Sequence, residues 1–265
     1  MTAQTGAQAG DEQVPQDGQA PQYVYGVTRA DASLPDGATG LDGKPVSLIV
    51  HGPCAAVVSD LPQGRPLGER ADLIAHQGVL TALIGEGTTV LPFRFGAALT
   101  GRQAVQDELL ATGGERFGEI LDALQGRVEL RLKGSYVQDT VLREVMAGDP
   151  QIAELSARLR SIPEDAADAA YYDRVRLGEM ISQALQQRRD AEGQQLLERL
   201  APGAEAVVAR VPAREEDVVD ASFLVRADAR EQFEKSVAEL GEAVADRIKL
   251  RLVGPLPPYD FIPDN

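Results

Sequence analysis

Apolar residues in this chain fall into short blocks, and the spacing inside each block names the element it builds. Tyr23-Val24-Tyr25-Gly26-Val27 joins aromatic and β-branched side chains and predicts a strand. A Gly/Pro/Asp-rich loop runs from Leu34 to Pro45. Val46 to His51 and Ala55 to Ser59 then form two apolar runs around Gly52-Pro53-Cys54, the pattern of a tight antiparallel hairpin. Residues 67–84 place Leu73, Ile74, Gln77, Leu80, Leu83 and Ile84 near a 3.6-residue period, which predicts an amphipathic helix stopped by Gly85-Glu86-Gly87. Residues 89–96, TVLPFRFG, read as a strand with Leu91, Phe93 and Phe95 on one face and Val90, Pro92 and Arg94 on the other. Pro92 has no N–H to give to a ladder, so the strand is expected at an edge or a bulge.

A second series of elements follows. Residues 101–125 read as helix interrupted at Gly113-Gly114, and Arg127 to Leu132 alternates strictly, as a half-buried strand does. Val141 to Ser161 reads as helix with a break at Asp149-Pro150. Glu164 to Leu200 is the longest helical pattern, about 55 Å if unbroken at 1.5 Å per residue. Its first half spaces Tyr171, Tyr172, Val175, Leu177, Met180, Ile181, Ala184 and Leu185 at threes and fours, whereas Gln186 to Gln195 is nearly all polar. A helical hairpin projecting partly into solvent accommodates both halves. Ala206 to Val211 and Val218 to Val225 read as strands, Asp228 to Ala245 as a helix capped by Asp228, and Arg247 to Val253 as a last strand.

These elements predict an α+β chain of two ferredoxin-like (split β-α-β) domains. The first, residues 23–125, is a modified version with a loop for its first helix and with trailing helices. The second, residues 126–265, carries the helical hairpin at about 140–200 and ends in an extended strip from Gly254. GRVELRLKG (126–134) and DRIKLRLVG (246–254) echo each other, each a strand led in by a helix. Residues 1–22 hold almost no large apolar side chains and are expected to be a disordered acidic tail.

Charge narrows the partners. With 41 acidic residues against 26 basic ones, the formal charge is −15, and no sharp basic cluster offsets it, so nucleic acid and anionic membrane surfaces are not expected partners. Cys54 is the single cysteine, which rules out an intramolecular disulfide and suits a reducing cytoplasm. No apolar run approaches the roughly 20 residues that span a bilayer.

Candidate chemistry is thin. Ser59, Asp60 and His51 could be imagined as a triad, yet no nucleophile elbow accompanies them and neighbours along a strand face opposite ways. Cys54 with His51 or His76 is a thiolate pair in residue type only. Gly85-Glu86-Gly87-Thr88-Thr89 lies between a helix and a strand, the reverse of a phosphate loop. The acids Glu215-Glu216-Asp217 and Glu164-Asp165 lie at turn or helix-start positions and lack a metal-loop pattern. Arg94 stands out. Either it contacts an anion or partner beside an open edge, or its stem covers apolar surface and its guanidinium bonds across the domain junction.

Three motifs, YVYGV at 23–27, TVLPFRFG at 89–96 and GPLPPYDFI at 254–262, together resemble the gas vesicle protein F/L family, accessory proteins encoded beside the small hydrophobic shell protein of gas vesicles. The resemblance runs from Tyr23 to Ile262, with Leu256 where the family often has Trp. It implies a non-enzymatic, cytoplasmic role in gas vesicle assembly. It also implies contact with the shell protein and other accessory proteins, and neither cofactor nor metal. Pro92, Arg94, Leu256, Tyr259 and Phe261 are the residues expected at a partner contact or a domain junction. Two other readings compete: a small-molecule enzyme on a ferredoxin-like scaffold, with Arg94 and His51 converging on a pocket, and self-association through the 164–200 helix.

Overall fold

The computed structural model describes residues 20–163 and 170–263 and divides into a first unit ending at Ala123 and a second beginning at Leu124. Most of the expected tail lies outside the described residues, as do Glu164-Asp165 and the expected start of the long helix. The tail's last residue, Gln22, already belongs to a strand.

The first unit contains β1 (Gln22–Arg29), β2 (Ser47–His51), β3 (Cys54–Asp60), α1 (Arg70–Gly85), β4 (Val90–Pro92) and β5 (Ala98–Leu99). A helical run follows: α2 (Arg102–Ala104), a π-helical turn at Val105–Leu110, and α3 (Ala111–Leu124). The sheet order is β2-β3-β1-β4, all antiparallel, with β5 pairing the start of β1. β1 lies inside the sheet and is buried from Gln22 to Thr28. Tyr23 and Tyr25 face His76 of α1, while Arg29 and Cys54 bond α3 at Gly118, Asp122 and Gly114. The loop that replaces a first helix is plugged into this core. Leu41 is fully buried and donates its N–H to Tyr25 Oη at 2.9 Å.

Three expectations change here. The buried face of α1 is Asp72, His76, Val79, Leu80 and Leu83, and Leu73 and Ile74 are 49% and 61% exposed. The apolar pattern placed Leu80 and Leu83 correctly but wrongly joined Leu73 and Ile74 to them, because two polar residues, Asp72 and His76, occupy that part of the core face. The helix at 101–125 runs through Gly113-Gly114 without a break. A Cβ at Gly113 would lie 2.5 Å from the Phe117 ring one turn on, so that glycine makes room for an aromatic. The strand expected over 89–96 stops at Pro92. Val90 and Leu91 are both buried, and a turn at Phe95-Gly96 follows. Among the described residues β4 pairs only with β1 and lies at the sheet edge.

The second unit contains β6 (Arg127–Tyr136), α4 (Gln138–Gly148), α5 (Pro150–Arg160), α6 (Tyr171–Leu200), β7 (Ala206–Ala209), β8 (Asp217–Arg226), α7 (Arg230–Val244) and β9 (Ile248–Leu256). Its antiparallel sheet has the order β7-β8-β6-β9. Both sheets therefore run second, third, first, fourth strand of their own unit. Asp149 caps α5 through the N–H groups of Gln151 and Ile152, with Pro150 at the first helical position, and so makes the expected break. Leu130, Leu132, Val219, Phe223 and Val225 form the sheet side of the core, and Phe233, Val237, Leu196 and Leu200 the helix side.

The long helix follows its expected apolar stripe from Leu177 to Leu185, which packs against the core, and departs from it at both ends. Its polar stretch meets the sheet, because a Cβ at Gly193 would lie 2.5 Å from the Val218 carbonyl and Glu192 accepts from Tyr136 Oη at 2.7 Å and from Arg247. Tyr171, Tyr172 and Val175 at its apolar start are 62%, 83% and 43% exposed. Asp228 does not cap α7. Its carboxylate pairs with Arg226, and a short 3₁₀ turn at Ala227–Ala229 leads into the helix. The last strand continues through Gly254 and Pro255 to Leu256 as an edge strand instead of releasing an extended strip at Gly254.

Glycine geometry yields a paired test. A Cβ at Gly26 would lie 2.5 Å from the Leu91 carbonyl, whereas Gly114 has open space around it in mid-helix. Gly26→Ala should destabilise the first unit by about 2 kcal/mol or more. Gly114→Ala should stabilise it by about 0.5–1 kcal/mol. Urea unfolding of both variants checks the opposite signs.

Candidate contact site

The turn that carries Arg94 is pinned from beneath by buried polar groups. Phe93 N–H donates to the Tyr25 carbonyl at 2.9 Å, and Val24 N–H donates to the Ala97 carbonyl at 2.9 Å. Gly96 N–H donates to Tyr23 Oη at 3.1 Å, and Tyr23 Oη lies 2.9 Å from His76 Nδ1. In the neutral ring the N–H goes to the Phe93 main chain, so Nδ1 accepts the Tyr23 proton. Phe95 packs its ring 6.0 Å from Tyr23 and 5.7 Å from His76. Gly96 sits at φ +100°, a conformation that favours glycine. Arg94 is exposed at the tip and makes no hydrogen bond or ion pair among the described residues.

Burial sets the acidities of this cluster. It holds the Tyr23 hydroxyl at a pKa of about 12 and pushes the Tyr25 hydroxyl up, although Ser59 at 2.9 Å and the Leu41 N–H partly oppose the shift on Tyr25. It pushes the His76 imidazole down, so the ring is neutral in the fold. At the start of α1, Asp72 is buried and accepts from Arg65 at 2.6 and 2.9 Å and from the N–H groups of Gly68 and Glu69. Arg65, first among these partners, holds the Asp72 carboxyl well below the usual carboxylate range.

The other candidates separate. His51 is exposed on β2 and Arg94 follows β4, at opposite edges of the sheet and roughly 14 Å apart across three strand spacings. The pocket required of an enzyme using both does not form. Ser59 is spent on Tyr25, Asp60 accepts from Gln22 at 2.8 Å, and burial pushes the Cys54 thiol up. Gly85-Glu86-Gly87 ends α1 by returning N–H groups to the helix carbonyls. Glu216 and Asp217 pair with Arg214. Among the described residues no group of three or more His, Cys, Asp or Glu could hold a metal.

At the C-terminus, Leu256, Tyr259 and Phe261 are half-buried, and the residue fastening the segment is Asp260, which pattern reading passed over. Its carboxylate pairs with Arg210 and lies 2.5 Å from Ser222 Oγ, and its N–H donates to Glu129 Oε2. Ser222 Oγ also lies 2.8 Å from Glu129 Oε1, but a hydroxyl has one proton for two acceptors. Burial raises the Glu129 pKa, while the Ser222 hydroxyl and the nearby Arg210 and Arg131 charges oppose the shift.

These shifts give the first unit a signed acid response. A buried neutral His76 leaves the unfolded chain as the stronger proton binder below about pH 6.5, so stability is complete above that value and falls as pH drops below it. The Asp72 contribution is present above about pH 4 and is lost as pH falls further. Denaturant midpoints measured down a pH series should show both limbs. His76→Gln should flatten the upper one and Asp72→Asn the lower.

With the geometry in place, the comparisons with known proteins are consistent over nearly the whole chain. The family model described as "Gas vesicle synthesis protein GvpL/GvpF" matches residues 21–263. Gas vesicle protein F of Streptomyces sp. (strain CB03234) is 38% identical, over 91% of this chain and 98% of that protein. Gas vesicle protein L of the same strain is 31% identical, over 91% and 92%. Among solved structures, the crystal structure of GvpF from Anabaena sp. PCC7120 superposes with a TM-score of 0.79 at 22% identity, covering 93% of this chain and 99% of that one. That of GvpF from Microcystis aeruginosa gives 0.72 at 21%, covering 91% and 98%. This chain belongs to the gas vesicle synthesis protein GvpL/GvpF family.

Proposed function

We propose that this chain is a non-enzymatic assembly protein that binds the small hydrophobic shell protein of the gas vesicle, supports nucleation or growth of the wall, and works in the cytoplasm on nascent vesicles. The observation that carries the reading is the Arg94 turn. Its backbone is pinned at 93, 96 and 97 by buried groups of β1 and α1, and its one long side chain projects without a partner among the described residues. The pinned backbone fixes where the side chain emerges, so contact costs the ordering of that side chain and not of the loop that carries it, which suits a docking residue. Family membership supplies the context, and the separation of His51 from Arg94 counts against an enzyme that would use both.

The same reading extends to architecture and partners. The order β7-β8-β6-β9, with helices between β6 and β7 and between β8 and β9, supports a ferredoxin-like second domain, and the matching order in the first unit supports a modified copy of it. Exposed Tyr171, Tyr172 and Val175 at the start of α6 support self-association through that end of the helix. Among the described residues, no helix is long and apolar enough to cross a membrane.

Affinity capture with tagged full-length chain should retain the shell protein. Arg94→Glu should weaken that capture about tenfold without moving the melting temperature. Failure of the unmodified chain to capture the shell protein sinks the proposal. Light scattering should show a smaller oligomer for Tyr171→Ser/Tyr172→Ser, and an unchanged mass removes the self-association reading.

A further inference from the structure

The two sheets end differently at their equivalent edges. In the first unit the fourth strand, β4, is three residues long and closes on Pro92. In the second the fourth strand, β9, runs nine residues, Ile248–Leu256, and among the described residues it pairs only with β6. Val137 N–H donates to the Arg247 carbonyl, and this pair continues the β6–β9 register. Alternation then makes Ser135–Lys249, Lys133–Arg251 and Arg131–Val253 the mutually bonded pairs, and turns the N–H and C=O groups of Ile248, Leu250 and Leu252 outward.

The two faces beside this open edge have opposite chemistry. On the helix side a groove of about 610 Å³ runs between α7 and β9, lined by Val237, Ala238, Gly241 and Ala245 against Leu250 and Leu252. Both leucines are only half-buried, so the layer under β9 is left incomplete. Glu234 and Glu242 rim its far wall. On the other face Lys249 and Arg251 are exposed and carry no ion pair among the described residues. Arg251 stands directly opposite Lys133, a juxtaposition of like charge that costs stability in an antiparallel pair. Arg131 is already neutralised by Asp220, with two contacts of 2.7 Å, and Lys133 only grazes Asp220 at 3.9 Å.

We propose that β9 is a docking edge for an extended segment of a partner polypeptide in which apolar and acidic side chains alternate. Such a segment adds as a fifth strand. Its main chain bonds Ile248, Leu250 and Leu252, its apolar side chains cover Leu250 and Leu252 in the groove, and its carboxylates meet Lys249, Arg251 and Lys133. Basic residues on an edge commonly deter pairing. Here they deter basic or uncharged strands and admit an acidic one, because the opposite face offers apolar surface that only an added strand would cover. The inference deepens the assembly reading by giving it a surface and a partner chemistry.

The test uses the full-length chain and a fluorescent eight-residue peptide alternating valine and glutamate, with a valine–lysine peptide as control. The acidic peptide should bind saturably and more weakly as salt rises, and it should protect the Ile248, Leu250 and Leu252 amides from hydrogen exchange. Lys249→Glu/Arg251→Glu, a change confined to exposed side chains, should weaken that binding about tenfold with an unchanged melt. No binding, equal binding of the lysine peptide, or protection confined to other strands would overturn the proposal. So would a concentration-dependent dimer abolished by the same double variant, since the edge would then pair with a second copy. Shell-protein capture separates the two readings. Undiminished capture by the double variant, with no peptide binding, overturns this edge and leaves the assembly reading standing. Peptide binding without shell-protein capture does the reverse.

Discussion

The first unit depends on what one buried hydroxyl can do. Tyr23 Oη has one proton and two lone pairs, and it stands between the Gly96 N–H and the His76 Nδ1. A buried donor or acceptor left without a partner costs about 1–3 kcal/mol. That cost holds β1, α1 and the 93–96 turn together as one arrangement: displacing any of them strands a polar group. The same requirement explains why a helix with polar Asp72 and His76 turns that stripe inward. Each finds its partners there, so the inward face gains hydrogen bonds as well as apolar burial from Val79, Leu80 and Leu83.

That is also where pattern reading of the sequence stops working. Elements defined by alternation or by punctuation were legible: the 47–60 hairpin, the Asp149-Pro150 break, and the β6 and β8 strands all arise from rules that act within a few residues. The buried stripe of α1 was legible only at Leu80 and Leu83, because hydrophobic periodicity counts His76 and Asp72 as solvent-facing and Leu73 and Ile74 as core. The long helix was legible in its Leu177–Leu185 stripe and misread beyond it, for a related reason. Gln186 to Gln195 looks solvated by composition, but Gly193 lets the backbone approach Val218, and Glu192 is matched to Tyr136 and Arg247. Asp260 shows the limit at the C-terminus. The apolar residues of GPLPPYDFI were visible, whereas the acid among them fastens the segment to groups more than thirty residues away.

The two units show how one strand order serves two purposes. In the first, the fourth strand is cut short by Pro92 and the chain turns at once into the Arg94 tip, so the edge has no length for another strand to use. In the second, the fourth strand keeps its length until Gly254, whose φ of +152° and close approach to Leu130 mark the change of direction. A proline at the third residue of β9, the place Pro92 holds in β4, would have closed the second edge as it closes the first. The proline of this strand instead stands at 255, which leaves Ile248 to Val253 open.

Net charge alone misrepresents how such a molecule meets a partner. A chain of −15 repels an acidic segment at long range, yet fields from exposed charges fade over about 8 Å at physiological ionic strength. Within that distance of Arg251 the nearest cross-strand neighbour is Lys133, and Arg131 and Asp220 cancel one another. Local potential there is positive against a negative whole. Long-range repulsion then slows encounters with acidic partners in general, while contact at this one edge is attractive, so discrimination comes from the final few ångströms and not from steering. High salt would relax the first effect more than it weakens a contact backed by strand hydrogen bonds and apolar burial, which makes ionic strength a way to separate association rate from affinity at this surface.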